Sequence, residues 1–236
     1  MEREELYNLI REKEGSLSVA FPSLMRKVYV WMTLALVISG ITAYGVMDSG
    51  LIFTIAQNKL LFWGLIIAEF ALVFGISGAI NRLSLTTATL LFVLYSVVNG
   101  ATLSMIFAVY TMASIGKVFL ITAGTFGVMA FVGYTTKKDL SSLGRILFMA
   151  LIGLIIATVV NFFFRSGMLD LILSYVGVAV FVGLTAYDSQ RIKQMLATCE
   201  YPDENAQKLA LLGSLMLYLD FINLFLYLLR IFGDRR

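Results

Sequence analysis

The sequence is poor in the residues that carry most enzyme and metal chemistry. Its 236 residues include no histidine, one cysteine and two prolines. Without histidine, the usual zinc sites and histidine-based acid–base catalysis are almost excluded. The single cysteine, Cys199, cannot form an intrachain disulfide. We therefore expect no resident cofactor and no chemical reaction, and the protein is not predicted to be an enzyme.

Charge is also scarce, and apolar residues take its place. Only 14% of the residues are charged, whereas soluble domains have about 25%. Hydrophobic residues make up 59% of the chain, and they form long uncharged runs. A membrane core about 30 Å thick is crossed by a helix of about 20 apolar residues. These runs predict an all-α integral membrane protein, and the net charge of +3 gives no support for nucleic-acid binding.

Seven runs reach this length and predict a single bundle over 28–232, between tails at 1–27 and 233–236. The third run is too long for one minimal span and too short for two, so we interpret it as one long or tilted span. In the first tail, apolar residues at helical spacing predict a short amphipathic helix (Leu6, Leu9 and Ile10). The predicted spans cover residues 28–47, 61–80, 84–112, 118–136, 146–164, 169–188 and 209–229.

The distribution of lysine and arginine predicts the orientation. If the N-terminus is cytoplasmic, twelve basic residues lie on that side and three lie in loops on the other side. The three are Lys59, Lys117 and Arg165, and the twelve are Arg3, Arg11, Lys13, Arg26, Lys27, Arg82, Lys137, Lys138, Arg145, Arg191, Lys193 and Lys208. The basic C-terminus argues against a seventh full span. We favour seven spans, and a re-entrant last segment is the alternative.

Three acids lie in or at the edge of apolar spans: Glu69, Asp188 and Asp220. A charged residue at the centre of a membrane helix costs about 2.5–3.5 kcal/mol on insertion, so such residues usually face the protein interior or a water path. Each also has a purely structural interpretation, as a helix-end acid or an interhelical hydrogen bond. Two carboxyl groups held together do not both ionise easily, so a pair would respond to pH. A depth estimate places Asp188 and Asp220 more than one helical turn apart.

Small residues within the spans, such as Gly124 and Gly127, predict close helix packing.

Three segments resemble the Bax inhibitor family, also called the transmembrane Bax inhibitor motif family. The first is the C-terminal stretch LYLDFINLFLYLLRIFG at 217–233. The second is the Tyr-Asp segment GLTAYDSQRIK at 183–193, and the third is the loop VGYTTKKDLSSLG at 132–144. The length, the seven-span layout and the order of the motifs agree over almost the whole chain.

The resemblance implies a bundle in which six helices surround a central C-terminal seventh. It implies a pH-sensitive calcium leak channel, with Asp188 and Asp220 as a paired-aspartate sensor and Arg82 as the arginine that latches it. It also implies that Glu69 lines the ion path, and the three acids are predicted calcium contacts. Calcium ions, protons and the lipid bilayer are then the expected partners, and a bacterial cytoplasmic (inner) membrane is the expected location, with the N-terminus in the cytoplasm.

Three other functions are alternatives. Intramembrane aspartyl proteases also carry Tyr-Asp in one span and an aspartate in the next, but that second aspartate follows Gly-x-Gly, whereas Asp220 follows Leu-Tyr-Leu. A proton-coupled cation carrier would use the same buried acids, although we find no internal repeat of the kind that carriers often have. A regulatory protein that binds other membrane proteins is the third alternative.

Overall fold

The computed structural model describes residues 3–199 and 201–236, with side chains from Phe21 onward. In this part of the chain all regular secondary structure is helical, which confirms the predicted all-α fold. The helices, numbered in chain order, are α1 (Arg3–Asp48), α2 (Leu51–Gln57), α3 (Lys59–Ala79), α4 (Leu85–Leu103), α5 (Met105–Val109), α6 (Met112–Thr135), α7 (Ser141–Phe164), α8 (Gly167–Ala197) and α9 (Glu204–Phe232).

Seven helical segments in the described residues are long and apolar enough to cross a membrane, as predicted. They are Phe21–Asp48 of α1, α3, Leu85–Val109 (α4 with α5), α6, α7, α8 and α9. Their ends differ from the predicted ones because a span was taken to stop at its first charge. The hydrogen bonds of a helix lie within the helix itself, so the helix continues beyond the apolar layer.

Two differences affect the interpretation of the ends. The helix α8 was predicted to end at Asp188, but it continues to Ala197, so Asp188 lies inside the helix. The tail predicted at 1–27 is helical from Arg3 and continuous with the first span. The side chains of the predicted amphipathic stretch (Leu6, Leu9 and Ile10) lie outside the described residues, so its apolar face stays a prediction.

The predicted third span, 84–112, is not one continuous helix. It is interrupted at Ser104, and α5 ends before Tyr110, which has an extended backbone. The hydroxyl oxygen of Thr111 then accepts a hydrogen bond from the amide of Ser114 at 3.3 Å and caps α6. The fourth span therefore begins six residues before the predicted 118, and Lys117 lies inside it.

The chain divides into two compact units. The first contains the residues up to Leu103 together with Ile192–Leu215. Here α1 and α4 approach closely, and the Ser39 hydroxyl donates to the carbonyl of Ser96 at 2.7 Å. Gly100 permits this approach, because a Cβ atom at that position would lie 2.8 Å from the Cβ of Thr42.

The second unit contains Ser104–Arg191 and Met216–Arg236. It is formed by α5, α6, α7, most of α8 and the C-terminal half of α9. Aromatic side chains of α6 and α9 pack edge to face, with Phe221 5.4 Å from both Phe119 and Phe126, measured between ring centroids. Such pairs contribute about 0.5–1.5 kcal/mol beyond the area that they bury.

The last helix differs from the other spans in burial. The apolar window of α9 is 67% buried, whereas no other described span exceeds 39%, which agrees with the central position expected for it. It is one unbroken helix of 29 residues, about 43 Å long at 1.5 Å per residue, so it is long enough for a full crossing.

The C-terminal residues after α9 pair with the connection between α5 and α6, and we call this pairing the C-terminal seam. The amide of Thr111 donates to the carbonyl of Asp234 at 3.1 Å, and the amide of Arg236 donates to the carbonyl of Val109 at 3.0 Å. Between them, Tyr110 and Arg235 form an antiparallel bridge. The end of α9 therefore lies beside the start of the fourth span.

Candidate functional site

The second unit contains a pair of carboxyl groups, one from α8 and one from α9. The side chains of Asp188 and Asp220 are hydrogen bonded to each other. Asp220 is only 4% exposed, and Asp188 is half-buried. Two carboxylates offer acceptors and no donor, so this hydrogen bond requires a proton on one of them. The structure therefore brings together the two acids that the sequence singled out.

Asp220 lies in a buried stretch of α9. On α9, Tyr218, Leu217 and Phe221 are buried with it. Its Oδ2 atom is also buried and accepts no hydrogen bond within the described part of the chain. A carboxyl group in this position is not stabilised by solvent, so its charge state depends on Asp188 and on any proton or cation that reaches the pair.

The helix α8 is held in place around Asp188 by two glycines. A Cβ atom on Gly133 of α6 would collide with the carbonyl oxygen of Ala186 and lie 2.8 Å from its Cα. A Cβ atom on Gly144 of α7 would collide with the ring of Tyr187. Only glycine permits these approaches, so α6 and α7 contact α8 directly at the two residues before Asp188.

Polar contacts fix the two residues that follow Asp188. The hydroxyl of Ser189 donates to the carbonyl of Ala130 on α6 at 2.8 Å. The side-chain amide of Gln190 donates to the carbonyl of Lys138 at 2.8 Å and accepts from the amide of Leu140 at 2.9 Å. Both side chains are buried. The segment of α8 that carries Asp188 is thus bonded to α6 and to the loop after it.

Arg191 is the base whose charge acts on Asp188 within this unit. It lies three residues further along α8, so the two side chains share one face of the helix. The Arg191 side chain is exposed. It therefore stabilises an ionised Asp188 from the solvent side of the pair.

Arg82, the predicted latch, lies in the first unit, in the turn between α3 and α4. Its side chain is exposed. The first turn of α9 holds this turn: the Lys208 ammonium group donates to the carbonyl of Leu83 at 3.2 Å, and the Glu204 carboxylate accepts from the amide of Leu85 at 2.9 Å. The position of Arg82 is thus set by α9, and its role as latch stays a prediction.

Glu69, the predicted residue of the ion path, lies on α3 in the first unit. Its side chain is hydrogen bonded to Asn99 and Thr102 of α4. Its Oε1 atom is buried and has no hydrogen-bond partner among the described residues. The described residues contain no group of three or more His, Cys, Asp or Glu side chains that could hold a metal ion. The calcium contacts predicted for Glu69, Asp188 and Asp220 stay predictions.

Comparison with known proteins identifies the family. The family model described as "Inhibitor of apoptosis-promoting Bax1" matches residues 22–236. The "Inner membrane protein YbhL" of Escherichia coli (strain K12) is 50% identical over 214 residues, which cover 90% of this chain and 92% of that protein. The chain belongs to the Bax inhibitor family. A further relative of the family, from Borreliella burgdorferi, is 48% identical over 213 residues, with 90% of this chain and 92% of that protein covered.

Membership of the Bax inhibitor family confirms the resemblance, and the structure gives its motifs a physical meaning. The Tyr-Asp segment at 183–193 lies in α8, and the loop segment at 132–144 runs from the end of α6 to the start of α7. Their contacts through Gly133, Gly144 and Gln190 join the two motifs. The two motifs therefore pack against each other beside the carboxyl pair, and we call this contact region the junction.

This junction was not predicted, and the close packing predicted in α6 lies at a different position. Gly124 and Gly127 were predicted to be close-packing sites, but each is exposed and a Cβ atom there would meet nothing within 4 Å. Small size permits contact without showing which face of a helix is buried. The sequence feature that could have indicated Gly133 as a packing site is its position about one turn before the polar loop that contacts Gln190.

Proposed function

We propose that this Bax inhibitor family protein is a calcium leak channel that responds to pH, and that the Asp188–Asp220 pair is the sensor of its gate. The observation that carries the proposal is the hydrogen bond between the two carboxyl groups, with Asp220 buried in the protein. A shared proton makes the bond between α8 and α9 depend on pH. The proposed activity is passive movement of an ion and includes no covalent step.

The chemistry of the pair gives the direction of the response. With one proton, the pair is a charge-assisted hydrogen bond, which is about twice as strong as a bond between neutral groups. A second proton removes the charge and weakens the contact between the helices. It also removes the attraction of Asp188 for a nearby arginine. Acidification therefore favours the open gate, and flux rises as the pH falls.

Two further residues complete the proposed mechanism. Arg82 is the proposed latch on ionised Asp188, although Arg191 is the base that acts on it within the second unit. Glu69 is proposed to line the ion path, because its buried Oε1 atom is an oxygen ligand of the kind that calcium prefers. We propose the bacterial inner membrane as the location, with a cytoplasmic N-terminus. The Escherichia coli relative carries the name of an inner membrane protein.

The test is calcium flux into proteoliposomes between about pH 6 and pH 8. We expect the wild-type flux to rise on acidification and Asp188→Asn and Asp220→Asn to lose this dependence, because an amide donates to the remaining carboxylate at any pH. Asp170→Asn is the matched control: Asp170 lies on the same helix as Asp188 and is 42% exposed. If both variants of the pair keep the wild-type pH profile, the sensor assignment is wrong.

The same preparation distinguishes the two candidate arginines and the alternative of a carrier. If Arg82 is the latch, Arg82→Gln will raise flux at the alkaline end and Arg191→Gln will not. The reverse result would assign the latch to Arg191. A calcium flux that requires a counter-ion gradient would instead indicate a proton-coupled carrier that uses the same acids.

A further inference from the structure

We propose that Gln190 is a positioning residue for the carboxyl pair, which bonds the loop between α6 and α7 (residues 136–140) to the helix that carries Asp188. This inference rests on the proposed function, since it assigns a role in sensing to a residue outside the pair. Gln190 is 6% exposed, and its side chain makes two hydrogen bonds to the loop backbone, one as donor and one as acceptor.

Three consecutive side chains of α8 contact three different elements. Successive residues of a helix point about 100° apart. Asp188 bonds to Asp220 on α9, Ser189 bonds to the carbonyl of Ala130 on α6, and Gln190 bonds to the loop. The rotation of α8 about its axis is therefore fixed on the sides away from α9, and this rotation sets how closely Asp188 meets Asp220.

The loop that Gln190 holds is itself ordered by short-range contacts. The carboxylate of Asp139 accepts a hydrogen bond from the amide of Ser141 at 2.9 Å at the start of α7. Hydrogen bonds from Ser141 lower the pKa of Asp139. These contacts order the end of the loop at the start of α7, and Gln190 bonds the loop to the helix that carries Asp188.

The other charged groups around the pair are exposed. On α8 itself Arg191 acts on Asp188, and on α9 the facing group is Asp220. The loop and the start of α7 contribute four charged side chains that are all exposed, namely Lys137, Lys138, Asp139 and Arg145. The charged residue within α6 is Lys117, near the opposite end of that helix. A change in the pH response of a Gln190 variant would therefore arise from the placement of the pair, because the substitution leaves all these charges unchanged.

The test replaces Gln190 by methionine, which has a similar size and makes neither hydrogen bond. Gln194→Met is the matched control, because Gln194 is exposed one turn further along α8. Loss of the two hydrogen bonds between Gln190 and the loop weakens the singly protonated carboxyl pair, so the gate opens at a lower proton concentration. We expect the pH midpoint of calcium flux to move to higher pH by about 0.5 unit or more in Gln190→Met, and to stay unchanged in Gln194→Met.

A second measurement, independent of flux, follows hydrogen exchange of the Leu140 amide, which donates to Gln190. In Gln190→Met we expect this amide to exchange at least about tenfold faster than in the wild type. An unchanged exchange rate would show that Gln190 does not hold the loop. If exchange is faster but the pH midpoint of calcium flux is unchanged or moves to lower pH, Gln190 is not a positioning residue. A wild-type flux without pH dependence would overturn the proposed function, whatever the loop exchange shows.

Discussion

The close approach of α6 and α8 at Gly133 gives a prediction whose size follows from the structure. An alanine there would place its Cβ atom 2.7 Å from the carbonyl carbon and 2.8 Å from the Cα of Ala186, and against its carbonyl oxygen. All three atoms belong to the backbone, so no side-chain rotation can relieve the clash. The two helices must separate by several tenths of an ångström or more for Gly133→Ala to fold.

The expected cost is large for a single methyl group. Overpacking of a close-packed interior typically costs about 1–3 kcal/mol, and contact with three backbone atoms of Ala186 places Gly133→Ala at the upper end of that range. Gly127→Ala is the matched control on the same helix, because a Cβ atom there meets nothing within 4 Å. In a helix interior alanine is more favourable than glycine by roughly 0.5–1 kcal/mol, so the control should be neutral or slightly stabilising.

The assay is equilibrium unfolding of the purified protein in detergent, with both variants measured beside the wild type. We expect Gly133→Ala to lose about 2–3 kcal/mol of unfolding free energy, and Gly127→Ala to lose none. If the carboxyl pair is the pH sensor that we propose, the folded fraction of Gly133→Ala should also show an altered pH midpoint of calcium flux, because Ala186 is two residues before Asp188. Equal stability of the two variants would refute the close approach of α6 and α8.

Two smaller predictions concern groups away from the pair. Burial raises the pKa of the Cys199 thiol, and the Asp203 carboxylate raises it further. We therefore expect maleimide to label Cys199 more slowly than a free cysteine near neutral pH, and the rate to increase as the pH rises. Labelling should be faster in Asp203→Asn, and equal rates for this variant and the wild type would contradict the contribution of Asp203. Arg230 and Asp170 form an ion pair at 3.7 Å, with side chains 37% and 42% exposed. Because exposed ion pairs contribute little, Arg230→Gln should lower the free energy of unfolding in detergent by no more than about 1 kcal/mol. A larger loss would show that the ion pair is shielded from solvent.

The seven spans and the two aspartates could be predicted from the sequence, because both signals are local. A span needs only a window of apolar residues, and an acid inside such a window is conspicuous. The depth estimate that separated Asp188 from Asp220 failed, because it counted residues from charged helix ends. The helix α8 extends to Ala197, beyond the charge at which its span was predicted to end, so the level of Asp188 could not be found in this way.

The junction around the pair could not be predicted for a different reason. Whether a glycine contacts another helix depends on the rotation of both helices, and this rotation is set by the packing of the whole unit. Gly127 and Gly133 are both glycines of α6, and only Gly133 contacts a backbone. The two hydrogen bonds of Gln190 likewise depend on a loop about 50 residues earlier in the chain.

The C-terminal seam has a consequence for how the protein is made. The amide of Arg236 and the carbonyl of Asp234 bond to the connection between α5 and α6, which the ribosome makes long before them. These two hydrogen bonds can therefore form only after α6, α7, α8 and α9 have been synthesised. A chain cut short after α9 would lack both bonds.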